Sequence, residues 1–168
     1  NPLWQAENLC IASFCLNFRG SNQNVSLADN DKIDFAAADN FTLGAWVKRN
    51  GAASANTVIM QKTGANIGST YTGYKLYMDA TGDLCFDIQD GTNAVDSACT
   101  SAVDFDDDSW HFIQVVKSGT TSITLYVDGK QRAQDSSIAS TGTLANASTY
   151  RVGADSDGTS NDWVGFID

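Results

Sequence analysis

Glu7 is the only glutamate among the 20 acidic residues of this 168-residue chain, and the other nineteen are aspartates. That imbalance constrains the fold more than any other feature of the sequence. Glutamate suits helix interiors, whereas Asp, Asn, Ser, Thr and Gly compete for local backbone hydrogen bonds and favour turns and caps. With 14 glycines and many Ser, Thr and Asn residues, the chain reads as short strands joined by frequent turns. The expected class is all-β. The length fits one domain, and 42% hydrophobic residues are enough for a core.

Alternation marks strands wherever the turns pause. Phe41, Leu43, Ala45 and Val47 fall on one face of a strand. The strongest runs are Trp110–Lys117 and Ser122–Val127, and Asp128-Gly129 after the second signals a two-residue hairpin. Asp79–Asp83 and Asp90-Gly91 predict further tight turns. About ten short strands follow one another at sandwich-like spacing, without helical periodicity between them. That favours a two-sheet antiparallel β-sandwich over a parallel βαβ fold. A short turn around Asp29–Phe35 is the one helix candidate, and no linker or internal repeat is visible.

The formal charge of -10, with only ten scattered Lys and Arg residues, argues against nucleic acid and anionic membrane surfaces as partners. No stretch approaches the ~20 apolar residues of a membrane span. The acidity fits a solvated Asp-rich surface, or carboxylates that hold Ca²⁺, a hard cation that prefers oxygen ligands. The densest oxygen loop is Asp155-Ser-Asp-Gly-Thr-Ser-Asn-Asp162, which brings Asp155, Asp157, Asn161 and Asp162 together. It lacks the sixth-position glycine and the distal glutamate of an EF-hand. Asp104–Trp110 crowds Asp106, Asp107 and Asp108, and reads as an exposed turn or a cation-screened cluster.

Cys10, Cys15, Cys85 and Cys99 show no metal-ligand spacing, and the lone histidine, His111, completes none. Four cysteines allow three pairings. The local one, Cys10–Cys15 with Cys85–Cys99, is expected because residues 85 and 99 lie on consecutive strands of a hairpin. Disulfides imply an oxidising, extracellular setting. The chain starts at Asn1 and is taken as a mature or trimmed fragment. Asn24, Asn40 and Asn146 head N-x-S/T sequons, which matter only in a eukaryotic source.

Several segments, in order, resemble the laminin-G/pentraxin-like family of the concanavalin A-type lectin/glucanase superfamily. They are Cys15–Val25, Asn40–Lys48, Asp108–Val116, Leu125–Lys130, Val152–Gly158 and Trp163–Asp168. The resemblance implies a jelly-roll sandwich that binds carbohydrate or protein ligands, often with calcium. It also implies a structural Ca²⁺ held by Asp168 and the backbone at Gly20. Two departures stand out. Arg19 occupies a position that is usually Asp, and the chain begins after the family's first strand and stops inside its last one. A sheet edge left open in this way would invite pairing with another chain or self-association.

Sugar recognition uses an aromatic platform with amides and carboxylates around it. Trp163 with Asn161 and Asp162 is the first candidate cluster, and Tyr71 with Tyr74, on the loop at 66–74, is the second. Trp46 and Trp110 lie in strand patterns and read as core. With a single glutamate, the Glu-x-Asp-x-x-Glu motif of the glucanases is impossible, and a triad would rest on His111 alone. The expected function is a non-catalytic, calcium-assisted binding module for a glycan or cell-surface protein. The alternative is a structural or protein-adhesion subunit of an extracellular assembly.

Overall fold

The computed structural model describes residues 1–6, 9–51, 55–64, 71–101, 105, 107–158 and 161–168. Glu7, Asp104, Asp106 and residues 66–70, all of interest in the sequence, lie outside these residues. The described chain forms strands β1 (Leu3–Gln5), β2 (Cys15–Arg19), β3 (Val25–Leu27), β4 (Phe41–Arg49), β5 (Thr57–Thr63), β6 (Thr72–Met78) and β7 (Leu84–Asp90). These are followed by β8 (Asp96–Cys99), β9 (Trp110–Ser118), β10 (Ser122–Val127), β11 (Lys130–Asp135), β12 (Tyr150–Val152) and β13 (Val164–Ile167). The expected helical turn is a single 3-10 turn at Asp31–Ile33, where the Asn30 side chain accepts from Lys32 N at 2.9 Å.

Two antiparallel sheets face one another, with strand orders β1-β2-β13-β4-β9-β10-β11 and β3-β12-β5-β6-β7-β8. The alternation read in β4 sends Phe41, Ala45 and Val47 inward. They meet Ile113, Val115, Leu125 and Val127 from their own sheet, and Ile59, Leu76, Phe86 and Ile88 from the other. Each such Val, Leu, Ile or Phe side chain contributes about 1.5–3 kcal/mol by leaving water. Asp128 and Gly129 take φ of 52° and 73°, the left-handed pair that a two-residue hairpin needs. Cys85 faces Cys99 across β7 and β8, and the bridges are Cys10–Cys15 and Cys85–Cys99 as expected.

Three placements differ from the sequence reading. Trp46 and Trp110 are half-buried on the outer face of the seven-stranded sheet, because they alternate with Ala45, Val47 and His111. Trp46 lies 5.4 Å from Phe112 and Trp110 lies 6.1 Å from Phe166, between ring centroids. β13 is not an open edge, since it pairs with β2 on one side and β4 on the other. Among the described residues, the free edges are instead β1 and β11 in one sheet and β3 and β8 in the other.

Two lysines are buried at the sandwich margins. The Lys62 ammonium pairs with Asp34 at 2.5 Å and Asp29 at 2.8 Å and donates to Asn146 O. Lys117 donates to the carbonyls of Ala37, Asp39 and Gly119, which bind the start of β4 to the β9–β10 turn. Asn146 Nδ2 is spent on the carbonyls of Lys62, Thr72 and Leu144.

Candidate ligand-binding face

Strand register builds a transverse row on the outer face of the six-stranded sheet. Ser26 on β3 faces Arg151 on β12, Arg151 faces Gln61 on β5, and Gln61 faces Lys75 on β6. Lys75 in turn faces Asp87 on β7, and Asp87 faces Ser97 on β8. Every strand contributes one polar side chain at the same level. The sequence produces this because Gln61, Lys75 and Asp87 interrupt apolar runs at the positions that alternate away from the core, such as Asp87 between Phe86 and Ile88.

The row is half-roofed rather than fully solvated. Gln61 is only 1% exposed, and its buried Oε1 has no hydrogen-bond partner among the described residues. Its Nε2 donates to Asp155 Oδ1 at 2.9 Å. Asp87 accepts from Ser97 Oγ at 2.6 Å. Burial pushes the Asp87 carboxyl up, against the opposing pull of Ser97, Lys75 and Tyr77. The Lys75 ammonium lies 4.6 Å from the Tyr77 ring centroid. Tyr71 is fixed beside the row by its N–H, which donates to Gln89 Oε1 at 2.6 Å. Its hydroxyl is buried without a partner, and burial, with Asp87, Tyr77 and Asp155 nearby, pushes the phenol far up.

The loop at 155–162 closes one side. Gly20, Ser21 and Asn22 all take positive φ, which curls the β2–β3 turn towards this loop. Asn22 N then donates to Asp162 Oδ2 at 2.7 Å, and Asn24 Nδ2 donates to Gly158 O at 3.1 Å. Arg151 donates to Asn24 Oδ1 and Ser156 O, both at 3.1 Å. Asp155 accepts from Ser156 N at 2.7 Å and from Asn161 Nδ2 at 2.5 Å. Burial opposes ionisation of Asp155, but its donors Ser156, Asn161 and Gln61 outweigh it and hold the carboxyl below the usual range.

Of the residues proposed from sequence, Tyr71, Asp155 and Asn161 therefore meet at the row, while Asp162 braces the loop from behind and Asp157 lies exposed in it. Two are corrected. Trp163 is fully buried, with the Arg49 guanidinium over its ring at 5.4 Å, so it is no platform for a sugar. Tyr74 is also fully buried, and its hydroxyl donates to Ile33 O at 3.0 Å. Sequence reading missed Arg151, Gln61, Lys75 and Asp87. Their alternation was visible, but the register that aligns them spans three separate strand pairings.

Asp155 and Asp168, both expected to hold calcium, are engaged by protein N–H groups. Asp155 accepts from Gln61, Ser156 and Asn161. Asp168 stands one step beyond the Ile167–Leu16 pair, level with Cys15, so Gly20 lies about 16 Å away at strand rise. Asp168 Oδ2 is used instead to accept from Ala12 N at 2.7 Å. Among the described residues, no three His, Cys, Asp or Glu side chains are placed to share an ion, and no helix is long and apolar enough to cross a membrane.

Comparison with known proteins bears on the fold. The binding domain of Paraclostridial Mosquitocidal Protein 1 superposes with a TM-score of 0.74 at 16% identity, covering 99% of this chain and 42% of that one. Mouse laminin alpha1 chain domains LG4-5 give 0.64 at 18% identity, covering 91% of this chain and 39% of that one. The CBM40 of Ruminococcus gnavus IT-sialidase, bound to alpha2,3 sialyllactose, gives 0.61 at 11% identity, with 88% and 89% covered. This chain thus spans about two fifths of the mosquitocidal-protein and laminin structures. No curated protein matches the chain. The sequence profile of a laminin G family, described as concanavalin A-like lectin/glucanases superfamily, matches residues 19–168. With the two-sheet sandwich in place, the chain belongs to that laminin G family of the concanavalin A-like superfamily.

Proposed function

We propose that the chain is a non-catalytic, extracellular binding module that takes a carbohydrate on the outer face of its six-stranded sheet. The observation that carries this reading is the row Arg151–Gln61–Lys75–Asp87, with Gln61 Oε1 buried inside it and unpartnered among the described residues. Sugar hydroxyls donate and accept at once. The Lys75 cation and the Asp87 carboxylate, on adjacent strands roughly 4.8 Å apart, offer a donor and an acceptor to neighbouring hydroxyls, and the buried Gln61 amide beneath them holds Asp155 in place. Tyr71 and Asn161 flank the row and would complete the contact. The neighbours support the class of function, because one is the binding domain of a mosquitocidal protein and another was solved with sialyllactose. Two disulfides suit a secreted or surface protein. Both His111 ring nitrogens face carboxylates, which leaves neither to take a nucleophile's proton.

Binding to a broad glycan array, run in parallel with Ca²⁺ and with EDTA, tests this. Specific binding is expected in both arms, because no carboxylate of the row waits on a metal. Lys75→Met and Asp87→Asn should each weaken it about tenfold or more, the loss of one charge-assisted hydrogen bond. Binding that disappears in EDTA would return calcium to the site. Silence in both arms would sink the carbohydrate reading.

One observation favours a second reading, a protein-adhesion or structural subunit with capacity to associate through its sheet edges. The free edges β1 and β3 stand together at a corner where apolar side chains reach solvent.

A further inference from the structure

The sandwich core is left uncovered at one corner. Along the inner face of the seven-stranded sheet, register aligns Val47, Ile167, Leu16 and Trp4 across β4, β13, β2 and β1. Val47 is 1% exposed, Ile167 8%, and Trp4 72%. The opposite sheet does the same. Val152 and Tyr150 on β12 pack on the core, but their partners on β3, Val25 and Leu27, are 40% and 50% exposed. Of the large hydrophobics exposed among the described residues, Trp4, Phe14 and Val25 line the hollows at this corner, and Leu27 follows Val25 on the same face of β3.

Two hollows open at the patch and share Trp4. One, of about 530 Å³, runs between β1 and β3 and is lined by Trp4, Leu16, Val25, Ser26 and the first two residues. The other, of about 260 Å³, is lined by Trp4, Phe14, Leu16, Ile167 and Asp168. On the far side of each hollow stands a strand whose outer backbone edge pairs with nothing among the described residues. Apolar side-chain hollows beside unpaired N–H and C=O groups are what an added β-strand fills. Its main chain extends a ladder, and every second side chain enters a hollow.

We propose that the corner between β1 and β3 is an acceptor groove for an extended segment of another protein, with apolar residues at alternate positions and neutral or basic residues between them. This rests on the protein-adhesion reading above and names its site and partner chemistry. Charge selects the partner. The chain carries -10, so a second copy meets like charge, whereas a segment with lysines between its apolar residues is drawn in. The larger hollow combines Pro2, Trp4, Leu16 and Val25 with the uncharged polar residues Asn1, Asn24 and Ser26, and the smaller one is mainly apolar, so the side chains that enter them are uncharged and largely apolar. The one carboxylate of the smaller hollow, Asp168, already accepts from Ala12 N at 2.7 Å.

An array of twelve-residue peptides tests the proposal. One set alternates Val, Ile or Phe with Thr and Lys; a second scrambles the same residues; a third replaces Lys by Asp. The alternating basic peptides should bind, the scrambled ones should not, and the acidic ones should bind at least tenfold more weakly. Trp4→Ser and Val25→Asp change exposed side chains and should weaken binding tenfold or more with the fold intact by circular dichroism. The bound peptide should slow amide exchange in β1 or β3. Lys75→Met should leave peptide binding unchanged, and Trp4→Ser should leave glycan binding unchanged, which separates this groove from the polar row. Equal binding of scrambled peptides, no binding by any set, concentration-dependent dimers that Val25→Asp abolishes, or a glycan whose binding Trp4→Ser removes would each overturn it.

Discussion

His111 Nδ1 lies 2.8 Å from Asp128 Oδ2, so the imidazole is tied to the first residue of the β10–β11 hairpin turn. The other Asp128 oxygen accepts from Phe112 N at 2.9 Å, and His111 Nε2 lies 3.1 Å from Asp107. Burial lowers the histidine's proton affinity, but the hydrogen bonds and charges of Asp128 and Asp107 outweigh it and hold it above the ordinary value. Both aspartates are held below theirs, where burial is outweighed by their hydrogen bonds and His111.

The signs set a pH optimum. A raised histidine contributes stability fully below its unfolded value near 6.5, and that stability is lost as pH rises through the higher folded value. The aspartates contribute above about 4 and lose it as pH falls. Thermal melts from pH 4 to 9 should therefore peak on the acid side of neutral. His111→Gln should flatten the descent above pH 6.5, and an unchanged profile in that variant would refute the coupling.

The Cys85–Cys99 bridge closes a separation of 14 residues and Cys10–Cys15 one of 5. By loop-closure entropy, replacing the first pair with alanine should cost about 3 kcal/mol and the second about 2 kcal/mol. Guanidinium titrations of the two double variants should preserve that order.

Lys62 is wholly buried and is the shared partner of Asp29 and Asp34. Lys62→Met leaves Asp34, 18% exposed, without its cation, and should cost about 3 kcal/mol. A double variant with Asp34→Asn should recover part of that loss in the same denaturation assay.

Gly73 marks a place where the backbone admits no side chain. Its φ is +135°, and an added Cβ would lie 1.9 Å from Lys62 O. Gly73→Ala should destabilise by at least about 3 kcal/mol, because a strand carbonyl has nowhere to move. Expression of a fold with unchanged melting temperature would contradict this close approach.

Tyr74→Phe removes a buried hydroxyl that donates to Ile33 O and should cost about 1 kcal/mol without touching ligand binding. A loss of glycan binding with stability intact would bring Tyr74 back to the site.

The fold was legible because its signals are local. The aspartate-rich turns, the Asp128-Gly129 hairpin, the alternation of Phe41 to Val47 and the Cys85–Cys99 pairing each sit within a few residues of one another or on one hairpin. The site was less legible because burial is not local. Trp163 follows a polar loop and looks exposed, yet that loop folds back so that Trp163 N donates to Gly153 O and the ring enters the core. Trp46 and Trp110 sit in strong strands and look buried, yet period two turns them outward. Trp4 escaped notice because a three-residue strand carries too little pattern to be read.

The polar row also bears on how such a domain can change its preferences. It draws positions 26, 151, 61, 75, 87 and 97 from six strands, and none of these side chains belongs to the hydrophobic core, although Gln61 and Arg151 also hold the neighbouring loop. Exchanges there can rewrite the recognition surface while the scaffold stays as it is. A one-residue insertion within any of the six strands would instead turn that strand's polar residue inward and its apolar neighbours out. Diversification on this scaffold should therefore proceed by substitution at six scattered positions, with length changes confined to the turns.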